Sequence, residues 1–324
     1  MTSTKCSRFL VLTFSLLTVS ATAQERLSGY YDNAITSPME RSHLADHRSY
    51  ANVASNVRWW VESDWQIAEA AGLKVILPWP DEFFYGDPYF QGIDYNVALN
   101  WNRWMWYGNP GDTAVQWYYA VLRHRNQIAA FGLADERDCN YGTQFPNWTY
   151  ASCAAMARKL EANAATIKTI LRFHGWDVPV WINYTSAFAA YFQSANPTSY
   201  GASIPQSVDW VSFDAYTPWE RCYGSISCPQ LIAGLERNMR PDQRIVLVPR
   251  AFSGPYLGYH PSDMQVALTL LQYYQYMQAD PRVVAMLPFS EFTVPGVGWW
   301  GASSSEVIHG TVRWIGQQIT GRRD

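Results

Sequence analysis

The sequence has few charges and lacks the motifs of several common chemistries. Charged residues make up 16% of the chain and the net charge is −3, with no basic stripe to meet phosphates, so we expect no nucleic-acid partner. No GxSxG elbow is present, which argues against a Ser-His-acid hydrolase. The 6 histidines form no HxH or HExxH pair, so we expect neither a catalytic metal nor a cofactor.

Long hydrophobic runs are confined to the start of the chain. Lys5 and Arg8 precede an apolar stretch over 9–19, and small residues at 21–23 provide a cleavage site. This arrangement predicts an export signal over 1–23, which is too short and wrongly flanked for a membrane span. We therefore expect a secreted or periplasmic protein, residues 24–324, with no membrane partner.

Cysteine is also scarce once the predicted signal is removed. The mature chain keeps Cys139, Cys153, Cys222 and Cys228, and an even count in an exported protein favours disulfides. Proximity in sequence favours Cys139 with Cys153 and Cys222 with Cys228, out of three possible connectivities. No CxxC spacing suggests a metal site instead.

Aromatic residues, in contrast, are abundant. They make up 16% of the chain, with 16 Trp and 21 Tyr. Much of this bulk must be core, but several tryptophans stand beside turn residues, where flat faces suit stacking on sugar rings. These are Trp79, Trp148, Trp219, Trp299 and Trp300.

Short apolar runs alternate with helical patterns along the whole mature chain, which is typical of repeated β-α units. The predicted strands cover 27–31, 50–54, 73–79, 128–134, 178–183, 208–216, 244–249 and 283–289. The predicted helices cover 57–71, 113–126, 150–173, 229–239, 262–279 and 304–319. This pattern predicts one α/β domain, a single (β/α)8 TIM barrel. A doubly wound sheet is the alternative, but no glycine-rich phosphate loop follows the first strand.

The segment 128–139, IAAFGLADERDC, changes abruptly from apolar to charged. Such a break is typical of a buried parallel strand that ends at a rim, where barrels of this class carry their chemistry. Strand alternation places Ala130 and Glu136 on one face, with small residues between them, and Phe131 and Asp135 on the other. We interpret Glu136 as the catalytic acid and Asp135 as its electrostatic neighbour. The alternative is a surface loop that caps the next helix.

Polar side chains follow most of the other predicted strands, and in a barrel these ends meet at one mouth. They are Asp32, Asp81, Asn183, Asp214, Tyr216, Arg250 and Glu291, to which we add Trp79, Trp219 and Trp299 as sugar-binding candidates. In VDWVSFDAY, alternation predicts that Ser212, Asp214 and Tyr216 face the lumen. Several acids at one mouth indicate a carboxylate-based active site.

The order FGLADE, VPVWINY, VDWVSFDAY and MLPFSEF, followed by GWWG at 298–301, resembles the (β/α)8 glycoside hydrolases, especially barrels whose fourth strand ends in Asp-Glu. In clan A enzymes a Glu ending strand four is the acid/base, which the resemblance maps onto Glu136. Their nucleophile is a Glu ending strand seven, and this sequence departs from the pattern there with Val248, Pro249 and Arg250. The resemblance thus implies a glycoside hydrolase without its usual nucleophile.

Three alternatives for the second catalytic group remain open. Asp214 would act as nucleophile or base from strand six, and Glu291 would suit an inverting enzyme that seats a water across the mouth. In the third, similar to family 20 hexosaminidases, Asp135 steadies a substrate acetamido group that acts as nucleophile. We expect a monomeric glycoside hydrolase that cleaves a poly- or oligosaccharide; the rival is a noncatalytic carbohydrate-binding barrel.

Overall fold

Eight parallel strands form the centre of the fold. The computed structural model describes residues 25–31, 46–55, 57–58, 60–78, 113–135, 150–256, 258–293 and 298–322. The predicted export signal and the segment 79–112 lie outside these ranges. Within them, no helix is long and apolar enough to cross a membrane.

The barrel strands are β1 Leu27–Ser28, β2 Val53–Ala54, β3 Lys74–Pro78, β4 Ile128–Asp135, β5 Val180–Tyr184, β6 Trp210–Ala215, β7 Arg244–Pro249 and β9 Val283–Met286. They pair in the order β1-β9-β7-β6-β5-β4-β3-β2, with every pair parallel. A small antiparallel pair, β8 Phe252–Ser253 with β10 Trp300–Gly301, is separate from this sheet.

The two outer strands of this order, β1 and β2, meet through Asn52. Its backbone N–H donates to the Ser28 carbonyl at 2.9 Å, and its side-chain oxygen accepts from the Ser28 N–H at 2.8 Å. A Cβ at Gly29 would collide with the carbonyl oxygen of Val53, so glycine is what permits this close approach. The sheet is a nearly closed barrel, which confirms the predicted (β/α)8 fold.

The helices are α1 Glu62–Ala70, α2 Thr113–His124, α3 Tyr150–Phe173, α4 Ser186–Ala189, α5 Cys228–Asn238, α6 Asp263–Ala279 and α7 Glu306–Thr320. Capping boxes begin α5 at Ser227 and α6 at Ser262, each with a Gln three residues later. The predicted helix from Val57 instead begins at Glu62, because Val61 is extended. The short helix α4 was not predicted.

The predicted second strand also begins later than expected. Tyr50 follows a 3-10 turn, His47–Ser49, rather than opening a strand. That turn fixes the chain in the layer outside the barrel, where the ring of Tyr50 lies in the outer core. The strand ladder with β3 therefore begins only at Val53.

The core has two layers, one in the barrel lumen and one between the strands and the helices. In β6, Trp210 packs in the lumen cluster, whereas Val211, Phe213 and Ala215 pack in the outer cluster. The faces predicted for this strand are therefore confirmed, and Tyr216 follows in the lumen.

One predicted disulfide lies in the loop after β6. Cys222 and Cys228 are bonded, with their Cα atoms 4.7 Å apart, and Cys228 is also the first residue of α5. This bond ties the chain beyond the mouth of the barrel to the start of the following helix. Cys153 is disulfide-bonded as well, but its predicted partner Cys139 lies outside the described residues.

Candidate active site

A chain of polar side chains crosses from β5 to β6 inside the barrel. The indole N–H of Trp181 donates to Ser212 Oγ at 2.8 Å, and Ser212 Oγ donates to Asn183 Oδ1 at 2.6 Å. The Asn183 amide then donates from Nδ2 to Asp214 Oδ1 at 2.9 Å. Each donor fixes the orientation of the next group, so an N–H is presented to Asp214, whose carboxylate is an acceptor.

This arrangement is buried near the carboxyl ends of the strands. Asp214 is 3% exposed and Asn183 is 1% exposed. Asn183 and Asn147 both begin Asn-X-Thr sequons, but the Asn183 amide is held inside the barrel and is not accessible for glycosylation. Strand alternation had predicted Ser212 and Asp214 in the lumen, whereas Trp181 was not recognised as part of the site.

The end of β4 lies directly beside this network, but its register is irregular. Gly132 pairs with Trp181, and the register then shifts so that Asp135 pairs with Asn183. The sequence predicted strict alternation from Ala130 to Glu136. The shift adds a residue to β4 within this stretch and interrupts that alternation. The register places Asp135 opposite a lumen-facing residue, and Glu136, the next residue in sequence, lies outside the described residues.

Glu291, beyond the end of β9, contacts a histidine that packs outside the barrel. Its carboxylate oxygens lie 3.0 Å and 2.9 Å from His47 Nε2, and Glu291 is fully buried. The His47 ring packs against Tyr30 at 5.5 Å and Tyr50 at 5.3 Å, both of which belong to the outer core. Glu291 therefore contacts a side chain that packs on the outer core.

Arg250 occupies the end of β7, where the resemblance would have placed a nucleophile. Its guanidinium donates to the carbonyl of Phe252 at 2.7 Å, to that of Tyr216 at 3.1 Å and to that of Gly254. One face lies over the Phe252 ring at 4.1 Å. Burial lowers the pKa of Arg250 to about 10. Through these contacts, Arg250 links the end of β6 to β8 and the residue that follows it.

An aromatic wall lies beside Arg250 and is formed by Tyr216, Phe252, Phe289 and Trp299. Tyr216 stacks on Phe289 at 5.3 Å, and Trp299 stacks on Phe252 at 4.6 Å. The Trp299 indole N–H donates to the Pro255 carbonyl at 2.7 Å, which fixes its ring. Arg250 therefore holds the backbone of two members of the wall.

Trp219 packs away from this assembly. Trp219 packs on Tyr273 at 4.6 Å and on Tyr276 of α6, in the outer core. Asp32, Trp79 and Asp81 lie outside the described residues. Throughout the described part of the chain, no group of three or more His, Cys, Asp or Glu side chains is placed to hold a metal ion.

Comparison with known proteins gives the fold a context. No family model matches the sequence, and no curated protein matches it. A β-glucuronidase from an uncultured Clostridium sp. superimposes with a TM-score of 0.54 at 10% identity, covering 90% of this chain and 50% of that one. The Ruminococcus gnavus β-glucuronidase, solved with a C6-substituted uronic isofagomine, gives the same values. The GH1 β-glucosidase of Exiguobacterium antarcticum has a TM-score of 0.51 at 8% identity, covering 88% of this chain and 87% of that one.

The chain therefore has the (β/α)8 barrel fold that these three enzymes share. It spans about half the length of the two β-glucuronidases and most of the β-glucosidase. At such low identity the likeness establishes the fold alone, and the activity of the chain depends on its own residues.

Proposed function

We propose that the protein is a secreted glycoside hydrolase that cleaves a poly- or oligosaccharide. The observation that carries the proposal is the buried Asp214 carboxylate, which accepts a hydrogen bond from Asn183 at 2.9 Å at the lumen end of β6. A carboxylate held by a neighbouring amide is suited to attack a sugar or to activate a water.

In this proposal Glu136 protonates the glycosidic oxygen. It follows Asp135 directly, and the β4 register puts Asp135 opposite Asn183, the residue that binds Asp214. The acid and its partner would therefore come from strand ends two apart in the barrel. Since the same register favours Asp135, it stands as the alternative acid or as the group that steadies an acetamido substituent.

The aromatic wall supports carbohydrate as the substrate class. Trp299 is half-buried and fixed by its bond to the Pro255 carbonyl, and Trp300 beside it is 59% exposed. Indole faces close to a carboxylate site suit the apolar faces of sugar rings. Secretion is supported by the predicted export signal and by the disulfide Cys222–Cys228.

A noncatalytic carbohydrate-binding barrel is the second candidate. The observation that favours it is Arg250, a buried cation at the end of β7 whose bonds are all to backbone carbonyls. Under this hypothesis, Arg250 at the end of β7 only stabilises the fold, and the cleft binds sugar without cleaving it.

Screening the mature protein on a panel of polysaccharides, with the anomeric configuration of products followed by NMR, separates the two candidates. We expect release of reducing ends from at least one substrate. Binding to a polysaccharide without any hydrolysis would instead support the noncatalytic barrel. A product that keeps its anomeric configuration would favour a nucleophile, and an inverted product a general base.

A further inference from the structure

A cavity lies on the outside of the barrel, between the turn at 46–50, the end of α1 and the last helix, α7. The groove has a volume of about 810 Å³. Its walls are the turn at 46–50, the end of α1 at 70–72, and the face of α7 together with Arg322. This size is within the range of small-molecule sites.

Three arginines from distant parts of the sequence line this groove: Arg48, Arg313 and Arg322. Among the described lining residues, Asp46 is the one acid. Arg48 is exposed, and its side chain forms no ion pair with any residue in the described ranges. The described lining of the groove therefore carries three arginines against one acid, on a protein whose net charge is −3.

Arg322 is fixed in place by neutral groups. Its guanidinium donates to the carbonyls of Arg48 and Ala71, both at 3.2 Å, and of Gly72 at 2.7 Å. Carbonyl oxygens orient the guanidinium but do not neutralise it, so its charge remains available to an anion. Arg313, with its guanidinium 5.8 Å from the centre of the Tyr50 ring, adds a further cation to the same wall.

We propose that this groove binds the carboxylate or sulfate groups of an acidic oligosaccharide. Planar guanidinium groups bind such oxyanions in a bidentate manner, which makes arginine better suited to the task than lysine. The anionic character of the ligand follows from the arginines, and the assignment to a glycan rests on the proposed function. The groove is then a second carbohydrate site that holds the chain of a substrate away from the point of cleavage.

Sequence composition gave no sign of this site, since the net charge argued against a polyanion partner. The bond between Arg322 and the Arg48 carbonyl joins residues 274 positions apart. Only the fold brings the cations together.

The test measures binding by calorimetry at low salt, with oligomers of galacturonic acid and of sulfated dextran as probes and uncharged maltotriose as the reference. We expect the acidic probes to bind and Arg48→Ala to weaken them about tenfold, the loss of one charge-assisted contact. The matched control is Arg123→Ala, which removes the same charge from an exposed site paired with Glu62 and should leave binding unchanged.

The absence of binding by the wild-type protein, or an equal loss in Arg123→Ala, would overturn the proposal. Binding of inorganic sulfate as tight as that of the oligomers would overturn the glycan assignment, and so would tighter binding of duplex DNA. Because the assay requires no turnover, a protein that binds acidic oligomers at this groove but hydrolyses nothing would refute only the proposed function.

Discussion

Asp214 and Glu291 are both buried carboxylates near the ends of barrel strands, but they are held in opposite ways. Asp214 accepts from the Asn183 amide inside the lumen, whereas Glu291 meets the His47 ring, which packs on the outer core. The environment therefore distinguishes two acids that looked alike in the sequence. A carboxylate that faces the lumen can meet a substrate, and one that contacts a histidine of the outer layer can join parts of the barrel wall.

The strongest test of this difference is Asp214→Gly. If Asp214 is the nucleophile, the variant should show no measurable turnover, and added azide should restore it by replacing the lost carboxylate with a small anion. A retaining enzyme should then give a product of opposite anomeric configuration, which NMR would detect. The control is Asp214→Asn, which keeps the side-chain volume and reports on folding through its melting temperature. Turnover by Asp214→Gly without azide would remove Asp214 from the mechanism.

The next effect concerns the acid at the end of β4. We expect Glu136→Gln to lower turnover by roughly 10²- to 10⁴-fold on substrates with alkyl or sugar leaving groups, because general acid catalysis is lost. Sugar binding should be retained. Asp135→Asn is the matched variant, since the register of β4 brings Asp135 opposite Asn183. If Asp135→Asn loses turnover and Glu136→Gln remains active, the two roles must be exchanged.

Glu291→Gln should change stability more than turnover. Weakening its contact with His47 should lower the free energy of unfolding by about 1.5 to 3 kcal/mol, the typical contribution of a hydrogen bond to a charged group. In a double-mutant cycle with His47→Gln, the two effects should not add, since the residues are in direct contact. Additive effects would contradict the proposed contact, and a folded Glu291→Gln protein that cannot turn over substrate would favour Glu291 over Asp214 as the second catalytic group.

Much of this comparison could be predicted from strand alternation. Alternation correctly placed Ser212, Asp214 and Tyr216 toward the lumen, because β6 is regular and buried on both faces. At the end of β4 a register shift between Gly132 and Ala134 adds a residue that no period of two reveals, and the predicted face of Glu136 stays a prediction.

Contacts between distant segments were beyond the sequence altogether. His47 and Glu291 are 244 positions apart, and nothing in either local pattern indicates the pair. Arg250 was correctly placed at a strand end, but its carbonyl partners depend on the path of the chain through Phe252 and Gly254. The strand ends were thus predictable, and the partners that give each side chain its role were not.

The smallest expected effect concerns a third carboxylate, Glu236, and the dependence of stability on pH. It pairs with Arg282, and burial, with the hydrogen bond to Asp280, raises the pKa of Glu236 to about 7 from its ordinary 4.5. An acid whose pKa is higher in the folded state contributes stability that is present below pH 4.5 and is lost as the pH rises through 7. When the pH is raised from 5 to 8.5, the free energy of unfolding of the wild-type protein should therefore fall relative to that of Glu236→Gln. The relative change should be less than about 1 kcal/mol because the group is partly exposed. Urea unfolding at both pH values measures the shift, with the exposed Glu220→Gln as control. A difference that is independent of pH, or that favours the wild-type protein at high pH, would mean that the Arg282 contact outweighs the proximity of Asp280.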